Sequence, residues 1–339
     1  MTMNDLVLLV LNKLNHSLGV YSVPQGRRLL ELETLPFPHE LCLSPDRRRL
    51  YVSEYGSATA ETPGLGGCSV GVFDLAAACR IGSLSIAPHD RPHGIVAHPT
   101  GLVLVTSETH GRLFVFDTKR TGVLAIKTRN AIVTGGLLPH CLALSPNGRI
   151  AAVAHLGSQN VAFVDPEHAR VLAILKVGAR PEGMVFSPEG LWLYVVNRES
   201  GCLSVIDVPG RREVDRIPTG FGPVRVAMTP DGSTLVVPLY FADTVQIIET
   251  RTRAVVATIP VGQRPIGTTL SPDGQHAFVA CELERRVHVI SLRTRKVVLT
   301  VPTGDGPEAM VCLTRAEVES MHTSWLCSSE SRPIIARAV

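Results

Sequence analysis

"RPEGMVFSPEG", residues 180–190, decides the fold. An apolar run from Gly183 to Phe186 ends in a Ser-Pro-Glu-Gly turn, and a second run, "LWLYVVN" at 191–197, follows at once. A third run, "CLSVIDV" at 202–208, and a fourth, "REVDRIPTG" at 212–220, complete the stretch. Each run is short, rich in Val, Ile and Leu, and bounded by Gly, Pro, Asp or Asn, so each reads as a strand. The unit is four strands joined by tight turns.

The unit recurs along the chain. "FPHELCLSPDR" at 37–47, "RPHGIVAHPTG" at 91–101, "LPHCLALSPNG" at 138–148, "GPVRVAMTPDG" at 222–232 and "RPIGTTLSPDG" at 264–274 repeat its opening, and "GPEAMVCLTRA" at 306–316 is a truncated last copy. The leading prolines, Pro38, Pro92, Pro139, Pro181, Pro223, Pro265 and Pro307, are spaced by 54, 47 and then four times 42 residues. A fixed period of this length marks an array of four-stranded units. Seven units predict an all-β fold, a seven-bladed β-propeller of antiparallel blades, in which radial repetition leaves only short protected edges. Residues 5–34 hold the second, third and fourth strands of a blade without a first, and residues 307–313 supply a first strand with none after it. The two ends therefore complete one blade.

This divides the chain into a propeller over residues 1–313 and a tail over 314–339. In the tail Thr314 and Glu317 have capping-box spacing, and Val318, Met321, Trp325 and Leu326 share one helical stripe. A short amphipathic helix is expected there, on the bottom face, where its stripe covers strand ends or docks a second copy of the chain in a homo-oligomer.

Composition narrows the classes of function. With 339 residues, 45% hydrophobic and 19% charged, and with 29 glycines and 24 prolines, the chain suits one large domain of strands and turns. A net charge of +3 and the absence of a basic stripe argue against nucleic acid, and the run Arg47-Arg48-Arg49 reads as a solvated turn. The apolar start "LVLLVLN" is too short for a transmembrane helix and reads as a strand, so no membrane partner is expected. Eight cysteines show neither a CxxC pair nor metal-finger spacing, which points to the reducing cytoplasm. No GxSxG, GxxxxGK[ST] or HExxH is present, and "GLGGCS" at 64–69 fails the dinucleotide fingerprint.

The residues after the leading prolines carry the chemistry. In a propeller the first strand of each blade lines the central axis, so these residues stand at the mouth of the channel on the top face. In ring order they are His39, His93, His140, Glu182, Val224, Ile266 and Glu308. A polar arc, Glu308-His39-His93-His140-Glu182, thus faces an apolar arc of Val224 and Ile266. Three imidazoles with carboxylates on one axis suit a divalent transition metal, with Zn, Fe, Cu and Mn not distinguished by this donor set. The expected ligands are His39, His93, His140 and Glu182, with Glu182 or Glu308 also available as a general base.

Further candidates surround this cluster. Arg225 is close enough to the axis to hold a substrate carboxylate or to neutralise Glu182. The loops after the second strands open on the same face and offer Glu54, Glu108, His110, His155, Arg198 and Tyr240 for substrate binding or support. The extra loop "YGSATAETPGLGGCS" at 55–69, with four glycines, reads as a lid or as a floppy insertion.

"LYVVN" at 193–197, the following "GCLSVID" and "RPEGMVFSPEG" resemble the YVTN-type β-propeller repeat, and the likeness runs from about residue 5 to 313. The resemblance implies the fold strongly and leaves function open among scaffolds, electron-transfer partners and enzymes. Metal-dependent lactonases and streptogramin-type lyases are similar propellers with axial metal sites, although their full motifs are not matched here. The sequence thus leads to a metal-dependent enzyme performing hydrolase, lyase or isomerase chemistry on a small oxygen-bearing molecule at the top of the channel. The alternatives are an iron- or copper-dependent oxidative enzyme and a non-catalytic protein- or ligand-binding scaffold.

Overall fold

The computed structural model describes residues 2–59, 62–119, 128–321 and 334–336. Seven antiparallel sheets are arranged around one axis. Blades 1 to 6 open with the inner strands Pro38–Leu43, Pro92–Ala97, Pro139–Leu144, Pro181–Phe186, Ala227–Met228 and Pro265–Leu270. Blade 7 joins the chain ends, with inner strand Pro307–Thr314 paired antiparallel to Leu6–Asn12. Closure of the ring therefore follows the sequence reading.

The second strand of each blade explains why the repeats look hydrophobic without alternation. Leu6–Asn12 is buried at all seven positions because both faces of its blade are covered by neighbours. Val7, Leu9 and Leu11 pack toward blade 1, whereas Leu6, Leu8 and Val10 pack toward blade 6. The same division repeats around the ring, giving one apolar cluster at each blade interface.

The tail begins as expected. Thr314 caps the helix Arg315–Ser320, accepting from the Glu317 N–H at 3.1 Å, while the Glu317 carboxylate accepts from the Thr314 N–H at 2.7 Å. Val318 and Met321 join the cluster between blades 7 and 1, and Glu317 pairs with Arg47 of a bottom turn. This puts the helix on the face opposite the histidines. Trp325 and Leu326 lie outside the described residues. One element was not anticipated: Ile334–Ala336 pairs parallel with Arg28–Glu33, adding a fifth strand to blade 7. Three residues carry too little pattern to reveal a strand by sequence. No helix among the described residues is long and apolar enough to cross a membrane.

Candidate functional site

One backbone device builds the mouth in every blade. The residue before each leading proline, Phe37, Arg91, Leu138, Arg180, Gly222, Arg264 or Gly306, has a left-handed φ between 51° and 87°. Five of these are not glycine, so the conformation stores strain that the surrounding ladder must hold. The carbonyls of these residues accept, at 2.8–3.2 Å, the N–H groups of Tyr55, Glu108, Leu156, Arg198, Tyr240, Glu282 and Lys13 respectively. Each proline also pairs with the last residue of its second strand, as Pro139 does with His155. The residue after the proline is thereby coupled to the residue after the second strand. The pairs are His39 with Tyr55, His93 with Glu108, His140 with Leu156, Glu182 with Arg198, Val224 with Tyr240, Ile266 with Glu282, and Glu308 with Lys13.

The structure brings the three histidines into contact. The ring centroids of His93 and His140 are 3.6 Å apart in a stack, and those of His39 and His93 are 4.2 Å apart edge to face. Carboxylates flank the group on both sides. Glu108 Oε1 lies 2.7 Å from His140 Nδ1, and Tyr55 donates its hydroxyl to the other oxygen of Glu108. Burial alone would raise the Glu108 pKa, but the hydrogen bonds from His140 and Tyr55 hold it down to about 2. An ionised carboxylate only accepts, so His140 Nδ1 is the donor in this contact and Nε2 is the ring nitrogen turned away from it.

On the other side Glu308 lies 3.1 Å from His39 Nδ1 and 3.2 Å from Lys13 Nζ. The His39 contact is within ion-pair range but is not aligned as a hydrogen bond. Burial opposes ionisation of Glu308, yet His39 and Lys13 hold its pKa well below the usual range. His93 sits between these pairs with no exposed surface and no hydrogen-bond partner on either ring nitrogen. Desolvation, then the neighbouring His140 and His39, push its pKa well below the ordinary value, and desolvation lowers that of His39. His39 and His93 are therefore neutral near pH 7, with lone pairs available.

A deeper ring lies two residues past each proline: Glu40, Gly94, Cys141, Gly183, Arg225, Gly267 and Ala309. Glycine alternates with larger side chains for a packing reason. A Cβ on Gly94 would stand 2.6 Å from the His140 carbonyl oxygen, one on Gly183 2.6 Å from Arg225 Cα, and one on Gly267 would strike the Glu308 carbonyl. The glycines thus let each following blade approach. Cys141 lies close enough that its donor atom and those of His93 and His140 fall within 4.8 Å of one another. Burial pushes the Cys141 thiol pKa up.

Other candidates are placed differently. Glu182 is committed to Arg198 at 2.8 Å and to Arg225 at 3.5 Å. Arg225 spans the channel to Glu40 at 2.5 Å, so it neutralises carboxylates of the protein itself. Glu54 points into its blade, where it pairs with Arg80 and accepts from Ser69 at 2.7 Å. His155 likewise turns inward to Thr134 at 2.8 Å. The reason is strand parity, since successive side chains alternate in direction, and Tyr55 and Leu156 rather than Glu54 and His155 occupy the positions above the axis. His110 lies in an outer loop, 3.4 Å from Asp90. Tyr240 bonds Glu282 at 2.6 Å, Val224 is buried and Ile266 half-buried. The 55–69 loop is anchored to blade 2, with Gly66 N–H bonding Asp90 at 3.0 Å and Arg91 N–H bonding the Gly67 carbonyl at 2.8 Å. Sequence reasoning passed over Tyr55, Lys13 and Cys141 as members of the cluster, although applying parity to the loop alignment selects the first two. Clefts of about 490 and 470 Å³ lie among the bottom turns near Thr100 and His168 and contain none of the axial residues. Those open grooves are separate from the packed axis.

The fold and axis define a seven-bladed propeller with a buried histidine and carboxylate cluster. The cytochrome D1 heme domain model matches residues 140–338, and the chain belongs to that family. No curated protein matches it significantly. Among solved structures it is similar to hydrazine synthase from Kuenenia stuttgartiensis, with 21% identity and a TM-score of 0.72 over 86% of this chain and 94% of that one. It also resembles a protein from Bacteroides uniformis provisionally described as a 6-phosphogluconolactonase, with 18% identity and a TM-score of 0.75 over 91% of this chain and 100% of that one. At these identities the likeness shows the fold alone.

The family's heme does not fit these residues. His93 and His140 stack at 3.6 Å and His39 meets His93 edge-on at 4.2 Å, leaving no room between the three rings for a macrocycle. The donor set suits a compact ion instead.

Proposed function

We propose that the protein is a metal-dependent enzyme acting on a small oxygen-bearing molecule at the top of its channel. A single transition-metal ion is held by His93, His140 and Cys141, with His39 as the adjacent fourth donor. The observation that carries this reading is His93, wholly buried with both ring nitrogens unpartnered between two carboxylate-backed histidines. Buried polar atoms without partners are rare in folded proteins. Carboxylates bonded to Nδ1 are the usual means of orienting ligand histidines. Tetrahedral ligation needs donor atoms about 3.3–3.8 Å apart, so the present spread closes by about 1 Å.

When bound, the ion supplies Lewis acidity or an activated water, supporting hydrolase, lyase or isomerase chemistry. The protein's own residues do the rest. Glu108 and Tyr55 fix the His140 tautomer, and Glu308 with Lys13 orients His39. The Glu182, Arg225 and Glu40 chain closes the channel beneath and keeps charge balanced. Cys141 favours zinc or copper over harder ions, and copper would open the oxidative alternative.

Metal analysis of untagged protein tests the proposal. Near-stoichiometric metal is expected, with loss in H93A while the fold persists. A metal-free wild type would defeat the reading in favour of a binding scaffold, which the exposed top-face side chains Leu14, Leu137, Phe221 and Leu283 would serve.

A further inference from the structure

The mouth wall contributed by blades 4 and 5 differs from the histidine wall. Arg198 gives Nη1 to Glu182, and its side chain remains 26% exposed. Arg225 is paired with both Glu40 and Glu182 and is 15% exposed, and Arg264 is turned onto the Tyr240 and Phe241 rings, whereas Arg198 has the single carboxylate partner Glu182. Its peptide is tied to an aromatic loop: Gly222 N–H donates to the Arg198 carbonyl at 3.3 Å, and Tyr240 N–H donates to the Gly222 carbonyl at 2.8 Å. On these connected loops Phe221 is 60% exposed and Phe241 48% exposed. Their rings stack at 5.1 Å, Tyr240 meets Phe241 edge-on, and Arg264 lies 4.7 Å over the Tyr240 ring.

This arrangement has a recognisable chemical complement. Exposed phenyl rings lose the free energy that burial would provide. An aromatic guest restores it by offset or edge contact. A guanidinium fork matches the plane of a carboxylate better than any other side chain does.

We propose that Arg198, Phe221, Tyr240 and Phe241 form a binding site for an aromatic carboxylate, with the acid on the free donors of Arg198 and the ring against the phenylalanine pair. As an anchoring wall for substrate the site rests on the metal reading, but occupancy of the wall does not require the ion.

Titration calorimetry on the full chain, metal-loaded and metal-stripped, with phenylacetate, 2-phenylethanol and acetate tests the inference. Phenylacetate should bind both forms at least about tenfold more tightly than either of the other probes. R198Q should weaken phenylacetate by about tenfold, with metal content unchanged. The exposed double substitution F221A/F241A should weaken phenylacetate and leave acetate as it was. Equal binding of phenylacetate and 2-phenylethanol overturns the proposal, as does undiminished binding by R198Q. Phenylacetate binding by a protein incapable of holding metal would support this site while removing the metal reading, so the two failures are distinguishable.

Discussion

Glu108 shows how one residue can organise a site from its edge. It accepts from His140 and Tyr55 together, and its ionised state dictates which nitrogen of His140 is free. Glu108→Gln puts an amide donor against one of these donors, so stability should fall by about 1–3 kcal/mol, measured by chemical denaturation. Metal affinity should fall by about 10- to 100-fold, measured by competition with a chelator. Protonation gives a second test, on metal-free protein. His39 and His93 have folded pKa values below their ordinary 6.5, so the unfolded chain binds more protons as pH falls below that value. Glu108 has a depressed folded value of about 2, so its contribution is complete above its ordinary 4.5 and is lost as pH falls toward 2. Both signs agree: the melting temperature should be highest near neutrality on this side of the profile, decline below 6.5 and decline further below 4.5. A melting temperature rising on acidification would contradict the assigned protonation states.

At the scale of the element, the inner strands are constrained more by their neighbours than by their own propensity. Gly183 has no need of unusual backbone angles, yet its Cβ position is occupied by the Arg225 backbone at 2.6 Å. Gly183→Ala should therefore destabilise by about 1–3 kcal/mol through overpacking, with the loss visible in the denaturation midpoint. The helix Arg315–Ser320 depends instead on its cap. Thr314→Ala removes the acceptor for the Glu317 N–H and should cost about 1 kcal/mol, with metal content unaltered because the helix lies on the opposite face. A Thr314→Ala protein that loses metal would place the tail in communication with the axis.

For the whole molecule, closure is the decisive feature. Pro307–Thr314 is hydrogen-bonded to Leu6–Asn12, and its removal would bare the long apolar second strand of blade 7. Deleting residues 306–339 should leave an unpaired edge and produce aggregation, read by size-exclusion chromatography and light scattering. A monomeric truncated chain melting like the full one would show that the ring does not depend on this pairing.

The seven-fold period, the prolines, the shared last blade and the identity of the residues on the axis were all legible in the sequence, because a repeat imposes the same register on every copy. That logic assigns His39, His93 and His140 to one ring. It offered Arg225 as a partner of Glu182, but it did not reveal that Arg198 also holds Glu182 or that His155 turns away to Thr134. Those outcomes depend on contacts between blades and on side-chain parity at a loop, where a single residue of offset changes what a side chain meets. Cys141 joined the histidines for the same reason, since its proximity to His93 comes from the approach that Gly94 allows. Local repetition determined which residues reach the axis; only the packing of one blade against the next decided which of them touch.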